Sequence, residues 1–139
     1  MAKKVGRRRS KQGQHKRRVD RQIVGLTMEW FDENPDTEGE IFHPVLSHKN
    51  AIMRPLAKRI WQENLDYLKH KSQFRWLVSV EGVFKDEREG KRHCPVELEA
   101  KCVLEDMNAH VLQAVQGVME RGNRKLWLGA AIKIECLGV

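Results

Sequence analysis

The stretch VELEAKCVL, residues 96–104, decides the fold: Val96, Leu98, Ala100, Cys102 and Leu104 fall on one side, and Glu97, Glu99, Lys101 and Val103 on the other. Successive side chains of a strand point to opposite faces, so an alternation this regular specifies a strand with one face in a core and one in water. Working toward the N-terminus, Trp76, Val78 and Val80 alternate with Leu77, Ser79 and Glu81 in a second strand over residues 75–84, where Gly82 suggests a bulge. The intervening KDEREGKRH, residues 85–93, is charged and contains a glycine, so the pair reads as an antiparallel hairpin with a long solvated loop.

Toward the C-terminus, Asp106 is placed to cap a helix whose buried stripe is Val111, Leu112, Val115, Val118 and Met119, with Gly122 as its stop. A last strand follows. Its inward residues are Leu126, Leu128, Ala130, Ile132, Ile134 and Cys136, opposite Trp127, Gly129, Ala131, Lys133 and Glu135. Upstream of the hairpin, Ile52, Met53, Leu56, Ile60, Trp61, Leu65 and Leu68 recur at helical spacing over residues 50–71, with Pro55 in the first turn and Lys69, His70 and Lys71 at the end that favours cations. Residues 26–48 carry six acids (Glu29, Asp32, Glu33, Asp36, Glu38, Glu40) and turn signals at Asn34-Pro35-Asp36 and Phe42-His43-Pro44. They read as an irregular segment tacked onto the core by Trp30, Phe31, Ile41 and Phe42. The expected fold class is α+β: a small, mostly antiparallel sheet of at least three strands with two helices on one face, in the order helix, strand, strand, helix, strand.

Charge divides the chain differently. The first 25 residues hold ten Lys/Arg (Lys3, Lys4, Arg7, Arg8, Arg9, Lys11, Lys16, Arg17, Arg18, Arg21) and one acid, Asp20, whereas the rest holds sixteen Lys/Arg and eighteen Asp/Glu. The arm is +9 and the remainder −2, within a net charge of +7. Val5 and Val19 are the arm's sizeable apolar residues before Gln22, too few to offset the entropy of ordering it, so a disordered arm over residues 1–25 is expected ahead of one α+β domain over residues 26–139. A domain of that length hides roughly two-thirds of its unfolded surface, enough for one core. The stretch 11–24 has no proline and one glycine, and would suit a basic helix formed on a nucleic acid surface.

Cys94, Cys102 and Cys136 form no C-x-x-C pair, which excludes a disulfide framework and a zinc ribbon and fits a reducing compartment. His15, His43, His48, His70, His93 and His110 show no metal-ligand spacing, and no resident cofactor is expected. The apolar run of a secretory signal, ~7 residues or more, does not follow the basic N-terminus, and no stretch nears the ~20 residues of a membrane span. The expected location is cytoplasmic or nucleoid-associated, nuclear in a eukaryotic cell, with no membrane partner.

Glu99-Ala100-Lys101 on the outward face of the strand, with Asp86 before it and Glu63 on the preceding helix, resembles the PD-(D/E)xK nuclease pattern over about half the chain. That resemblance implies a site in which Asp86 and Glu99 hold Mg²⁺ and Lys101 positions the attacking water or the scissile phosphate. In the PD-(D/E)xK pattern the Asp stands on a hairpin strand after a Pro, whereas Asp86 follows Lys85 in the expected loop. The same E-x-K also arises on any exposed strand face.

The leading expectation follows from the arm. Lys and Arg that neutralise phosphates release condensed counterions, so ten of them suffice for polyanion binding without base-specific geometry. Arg outnumbers Lys six to four there, which tilts the expectation from DNA toward RNA or single strands, since guanidinium groups bind phosphate bidentately and stack on bases. Lys85, Arg88, Lys91, Arg92 and His93 offer a second phosphate contact, but Asp86, Glu87 and Glu89 nearly cancel them, and a solvated loop tip is expected. The chain is expected to be a non-enzymatic component or regulator of a nucleoprotein assembly with further protein partners, an organisation also seen in ribosomal proteins, viral coat proteins and phage regulators. The two rival expectations are the Mg²⁺-dependent nuclease and an inhibitor or adaptor whose arm occupies an acidic or nucleic-acid groove of a larger complex.

Overall fold

A computed structural model describes residues 19–33, 44–88 and 90–139. The fold is α+β. Five strands, β1 (Leu26–Asp32), β2 (Val45–His48), β3 (Phe74–Asp86), β4 (Gly90–Cys102) and β5 (Trp127–Gly138), form one sheet in the order β2-β1-β5-β3-β4. Every neighbouring pair is antiparallel. Helix α1 (Ala57–Asp66) and helix α2 (Met107–Arg121) accompany it, together with a helical turn at residues 19–23.

The alternation at residues 96–104 is realised in β4, where Ala100 and Cys102 are buried and Glu97, Glu99 and Lys101 are exposed. Leu104 is buried too, although the strand stops at Cys102 and a short 3-10 turn, Leu104–Asp106, leads into α2. In β3, Trp76, Val78 and Val80 pack into the core, and the indole N–H of Trp76 donates to the Cys102 carbonyl at 3.1 Å. That bond removes the penalty of burying a polar ring atom. The first helix, expected over residues 50–71, begins at Arg54 and has three winds, a 3-10 turn containing Pro55 (Arg54–Leu56), α1, and a π turn (Tyr67–Lys71), while Ile52, expected on its buried stripe, precedes it and is 80% exposed.

Several expectations change. Residues 26–32 and 45–48 are strands β1 and β2 rather than an irregular segment, and β1 joins the sheet beside β5 with Met28 opposite Ile134. Leu26 and Met28 face the core, and the acids Glu29 and Asp32 both follow them in the strand. Of the turn signals, Asn34-Pro35-Asp36 and Phe42-His43 lie outside the described residues. The charged loop is also shorter than expected. Lys85 and Asp86 end β3, Gly90 to His93 begin β4, and Asp86 pairs with Gly90. A hairpin edge exposed on both faces needs no apolar alternation, so composition alone could not distinguish it from a loop.

Two glycines have packing roles: Gly82 in place of the expected bulge, and Gly122 in addition to ending the helix as expected. A Cβ at Gly82 would stand 2.1 Å from Val118 Cγ1, so this position lets α2 approach the sheet. The register shifts between β3 and β5 fall instead at Arg75/Trp76 and Val83/Phe84. Gly122 ends α2 with φ −97°, donating its N–H to the Val118 carbonyl at 3.0 Å, and a Cβ there would lie 2.2 Å from the Phe84 ring. Asp106 holds the N-cap position without a side-chain capping bond. The second shift skips Leu128 and, with Leu126 in a 3-10 turn, leaves both more exposed than expected.

Residues 19–25 belong to the folded body, which moves the boundary expected at residue 25. Val19 and Ile23, one helical turn apart, are 2% and 0% exposed in the core. Gly25 turns the chain at φ +90° into β1, donating its N–H to the Cys136 carbonyl at 2.8 Å. Residues 1–18, on which the disorder expectation rests, lie outside the described residues.

The core lies between one face of the sheet and the helices. The opposite face carries Glu29 and Phe31 of β1, Val45 of β2, Lys133 of β5, Ser79 and Glu81 of β3, and Glu97 of β4 around an open depression of about 540 Å³. No described helix is long and apolar enough to cross a membrane.

Candidate nucleic-acid interface

The arm enters the body through a small set of specific bonds. Tyr67 donates its phenolic O–H to Asp20 Oδ1 at 2.9 Å, and burial, with smaller contributions from Asp20, holds the phenol above its ordinary pKa. The Lys49 N–H donates to the Gly25 carbonyl at 2.8 Å, a consequence of β1–β2 pairing in which Leu26 stands opposite His48. His48 is 5% exposed; the Asn50 N–H donates to its Nδ1 at 2.9 Å, which leaves the proton on Nε2, donated to the Gln22 carbonyl at 3.3 Å. Arg54 Nε donates to the His48 carbonyl at 3.1 Å.

These bonds shape a cleft of about 650 Å³ at the arm root, lined by Arg21, Gln22, Val24, Gly25, His48, Lys49, Asn50 and Met53. No carboxylate is among these lining residues. Arg21 and Lys49 are exposed, and Arg54 sits directly behind His48. Arg21 and Lys49 thus set two exposed cations on the folded surface where residues 19–25 join it. Lys49 and Arg54 were not singled out by the sequence reading. The signal that finds them is the pairing of β1 with β2, which carries residues 48–54 back beside Gly25.

Of the ten arm cations, Lys3, Lys4, Arg7, Arg8, Arg9, Lys11, Lys16, Arg17 and Arg18 lie outside the described residues, and Arg21 is at the cleft. The E-x-K constellation is divided. Glu99 and Lys101 are neighbours on the open face of β4, opposite Leu77 and Arg75 respectively, and Arg75 holds Glu99 at 3.3 Å. Asp86 is the last residue of β3, nine positions beyond Leu77, a span of about 30 Å along a strand. Glu63 is paired with Arg59 at 3.1 Å on the surface of α1. Among the described residues no three His, Cys, Asp or Glu converge in a way that could hold a metal ion.

No known protein family, curated protein or solved structure matches this chain. The cysteines are free, and burial raises the thiol of Cys102 to about 11 and that of Cys136 to about 12, consistent with packed rather than reactive groups. The open sheet face is electrostatically unlike the arm root. Glu29, Glu81, Glu97, Glu99 and Glu135 project from it against Arg75, Lys101 and Lys133, with Lys133 3.9 Å from Glu29, Arg75 3.3 Å from Glu99 and His93 3.0 Å from Glu81.

Proposed function

We propose that this chain is a non-enzymatic nucleic-acid-binding protein that works as a component or regulator of a nucleoprotein assembly. Its basic arm makes the phosphate contacts, and its α+β body supplies position. The observation that carries the reading is the segregation of charge: an arm of +9 ahead of a remainder of −2. The cleft formed by Arg21 and Lys49 supports it, because phosphates led along the arm meet cations and no lining carboxylate at the point where the chain becomes rigid. The acidic open face works in the opposite sense. It repels a polyanion from the flat side of the sheet, so a strand bound by the arm is held at the root end of the body. Such charge-based binding gives affinity and orientation without base selection. RNA is favoured slightly by the six arginines of the arm.

Binding of the full chain to single-stranded RNA, single-stranded DNA and duplex DNA over a series of salt concentrations tests this. The expected result is a steep fall of affinity with salt, limited to a slope of about −7 if all ten cations met single-strand phosphates. Deleting residues 2–18 removes most of that slope; the deletion stops there because Val19 and Ile23 are core residues. A flat slope in the intact protein overturns the reading.

A further inference from the structure

We propose that the end of the sheet remote from the arm is a second phosphate-binding surface for nucleic acid, formed by Arg92, Arg121, Arg124 and Lys125 around Phe84, with Lys85 and Lys91 on the other face of the hairpin. The inference rests on the nucleic-acid reading above and adds a site to it. Phe84 is fully buried, and its ring gathers three separate parts of the chain. The Arg92 guanidinium lies over it, 5.5 Å from the centroid. Trp127 meets it edge-on at 5.3 Å. The backbone at Gly122 passes so close that a Cβ would stand 2.2 Å from it. Arg92 on β4, Arg121 at the end of α2, and Arg124 and Lys125 in the turn before β5 are thereby collected around one rigid aromatic pair. A guanidinium fixed on a ring loses less freedom on meeting a phosphate than one on a free side chain.

The other face of the hairpin points the same way. Lys85 and Lys91 are directly opposed in the β3–β4 register. Like charges in that position weaken a strand pair, and a bound anion relieves the repulsion. Elsewhere on the body four cations are matched, Arg59 with Glu63, Lys71 with Asp66, Arg75 with Glu99 and Lys133 with Glu29, while Lys49, Lys58, Lys69 and Lys101 form no ion pair among the described residues. Among the described residues, no ion pair is formed by Lys85, Lys91, Arg92, Arg121 or Lys125. Of the neighbouring acids, Asp86 accepts the Arg88 N–H at 2.8 Å, Glu87 is exposed at the turn, Glu33 is exposed where its carbonyl accepts the Trp127 indole N–H at 3.3 Å, and Glu120 is exposed next to Arg121 in the chain. From Trp76, level with the arm root through Cys136, to Phe84 is eight strand positions, or about 26 Å. The body thus has a cationic pole at each end of its sheet and an acidic face between them.

The test uses the full chain and a DNA duplex of about 20 base pairs, comparing the salt slope of the intact protein with that of an Arg92→Gln/Arg121→Gln/Arg124→Gln/Lys125→Gln variant, a Lys85→Gln/Lys91→Gln variant and the 2–18 deletion. Each phosphate contact removed lowers the magnitude of the slope by about 0.9, so the fourfold variant is expected to lose up to about 3.6 and at least ~10-fold in affinity at low salt. The lysine pair variant relieves a repulsion, so it stays folded and decides the matter if the fourfold variant melts early. Both Gln variants keeping the intact slope while the deletion lowers it overturns the second site and leaves the arm reading standing. A flat slope for every form, the intact protein included, overturns both.

Discussion

The phenol of Tyr67 donates to the carboxylate of Asp20 across 2.9 Å, joining residues 47 positions apart and fastening the turn at 19–23 to the end of the first helix. A hydrogen bond to a charged acceptor contributes more than one between neutral groups, so Tyr67→Phe is expected to lower stability by about 1.5–3 kcal/mol. The larger effect is local. Arg21 is the site to watch, because loosening this anchor exposes the peptide bond after it. Limited trypsin digestion followed by mass spectrometry is expected to show faster cleavage at Arg21 in the variant, and equal rates would mean that Val19 and Ile23 hold the turn unaided.

Gly82 and Gly117 respond oppositely to alanine. At Gly82 the new methyl collides with Val118 Cγ1, and overpacking of this kind costs about 1–3 kcal/mol. At Gly117, inside α2, nothing lies within 4 Å of the added carbon, and helix propensity favours alanine by about 1 kcal/mol. Urea unfolding midpoints of Gly82→Ala and Gly117→Ala are expected to move in opposite directions from the parent.

The hairpin, α1, α2 and the last strand were legible because each carries an unbroken period: two in VELEAKCVL, three to four in Val111, Val115 and Val118. What escaped has identifiable physical causes. In LTMEWFD, residues 26–32, Leu26, Met28 and Trp30 do alternate, but Thr27 is buried as well and Phe31 is 54% exposed over Gly129, so neither face reads as purely apolar or polar. Residues 85–93 lacked any apolar stripe because that part of the hairpin is wet on both sides. Leu128 was assigned inward by counting, and a register shift, invisible in composition, moved it. For the proposed site, the charge of residues 1–25 is read directly from the sequence, whereas the place of Lys49 and Arg54 next to Gly25 needed the pairing of β1 with β2.

The thiols supply a measure of pH dependence. Folding raises Cys102 from 9.0 to about 11 and Cys136 from 9.0 to about 12, chiefly by burial. A group whose pKa is raised in the folded state contributes fully below its unfolded pKa and loses that contribution as pH rises through the folded value. Stability is therefore expected to be unaffected by these groups below pH 9 and to fall progressively from there to about pH 12. Each pKa unit corresponds to about 1.4 kcal/mol. Urea midpoints between pH 8 and pH 11 are expected to fall less steeply in Cys102→Ala/Cys136→Ala than in the parent. In the native protein at neutral pH, a thiol-specific reagent is expected to modify Cys94 alone quickly, the other two being 4% and 1% exposed.

Lys101→Ala bears on the nuclease resemblance. With Asp86 about 30 Å along β3 from the level of Glu99, the two carboxylates cannot share a metal ion in this fold. Incubation of labelled DNA or RNA with Mg²⁺ and either protein is expected to leave the same pattern of intact substrate. Cleavage by the parent that Lys101→Ala abolishes would contradict that.

The central position of β5 governs the order of events during synthesis. Thr27 meets Glu135, so β1 has no inner neighbour, and β3 no second partner, until the residues of β5 have been made. Contacts spanning most of the chain close slowly. The N-terminal residues are therefore synthesised well before the sheet that Leu26–Asp32 enters can close.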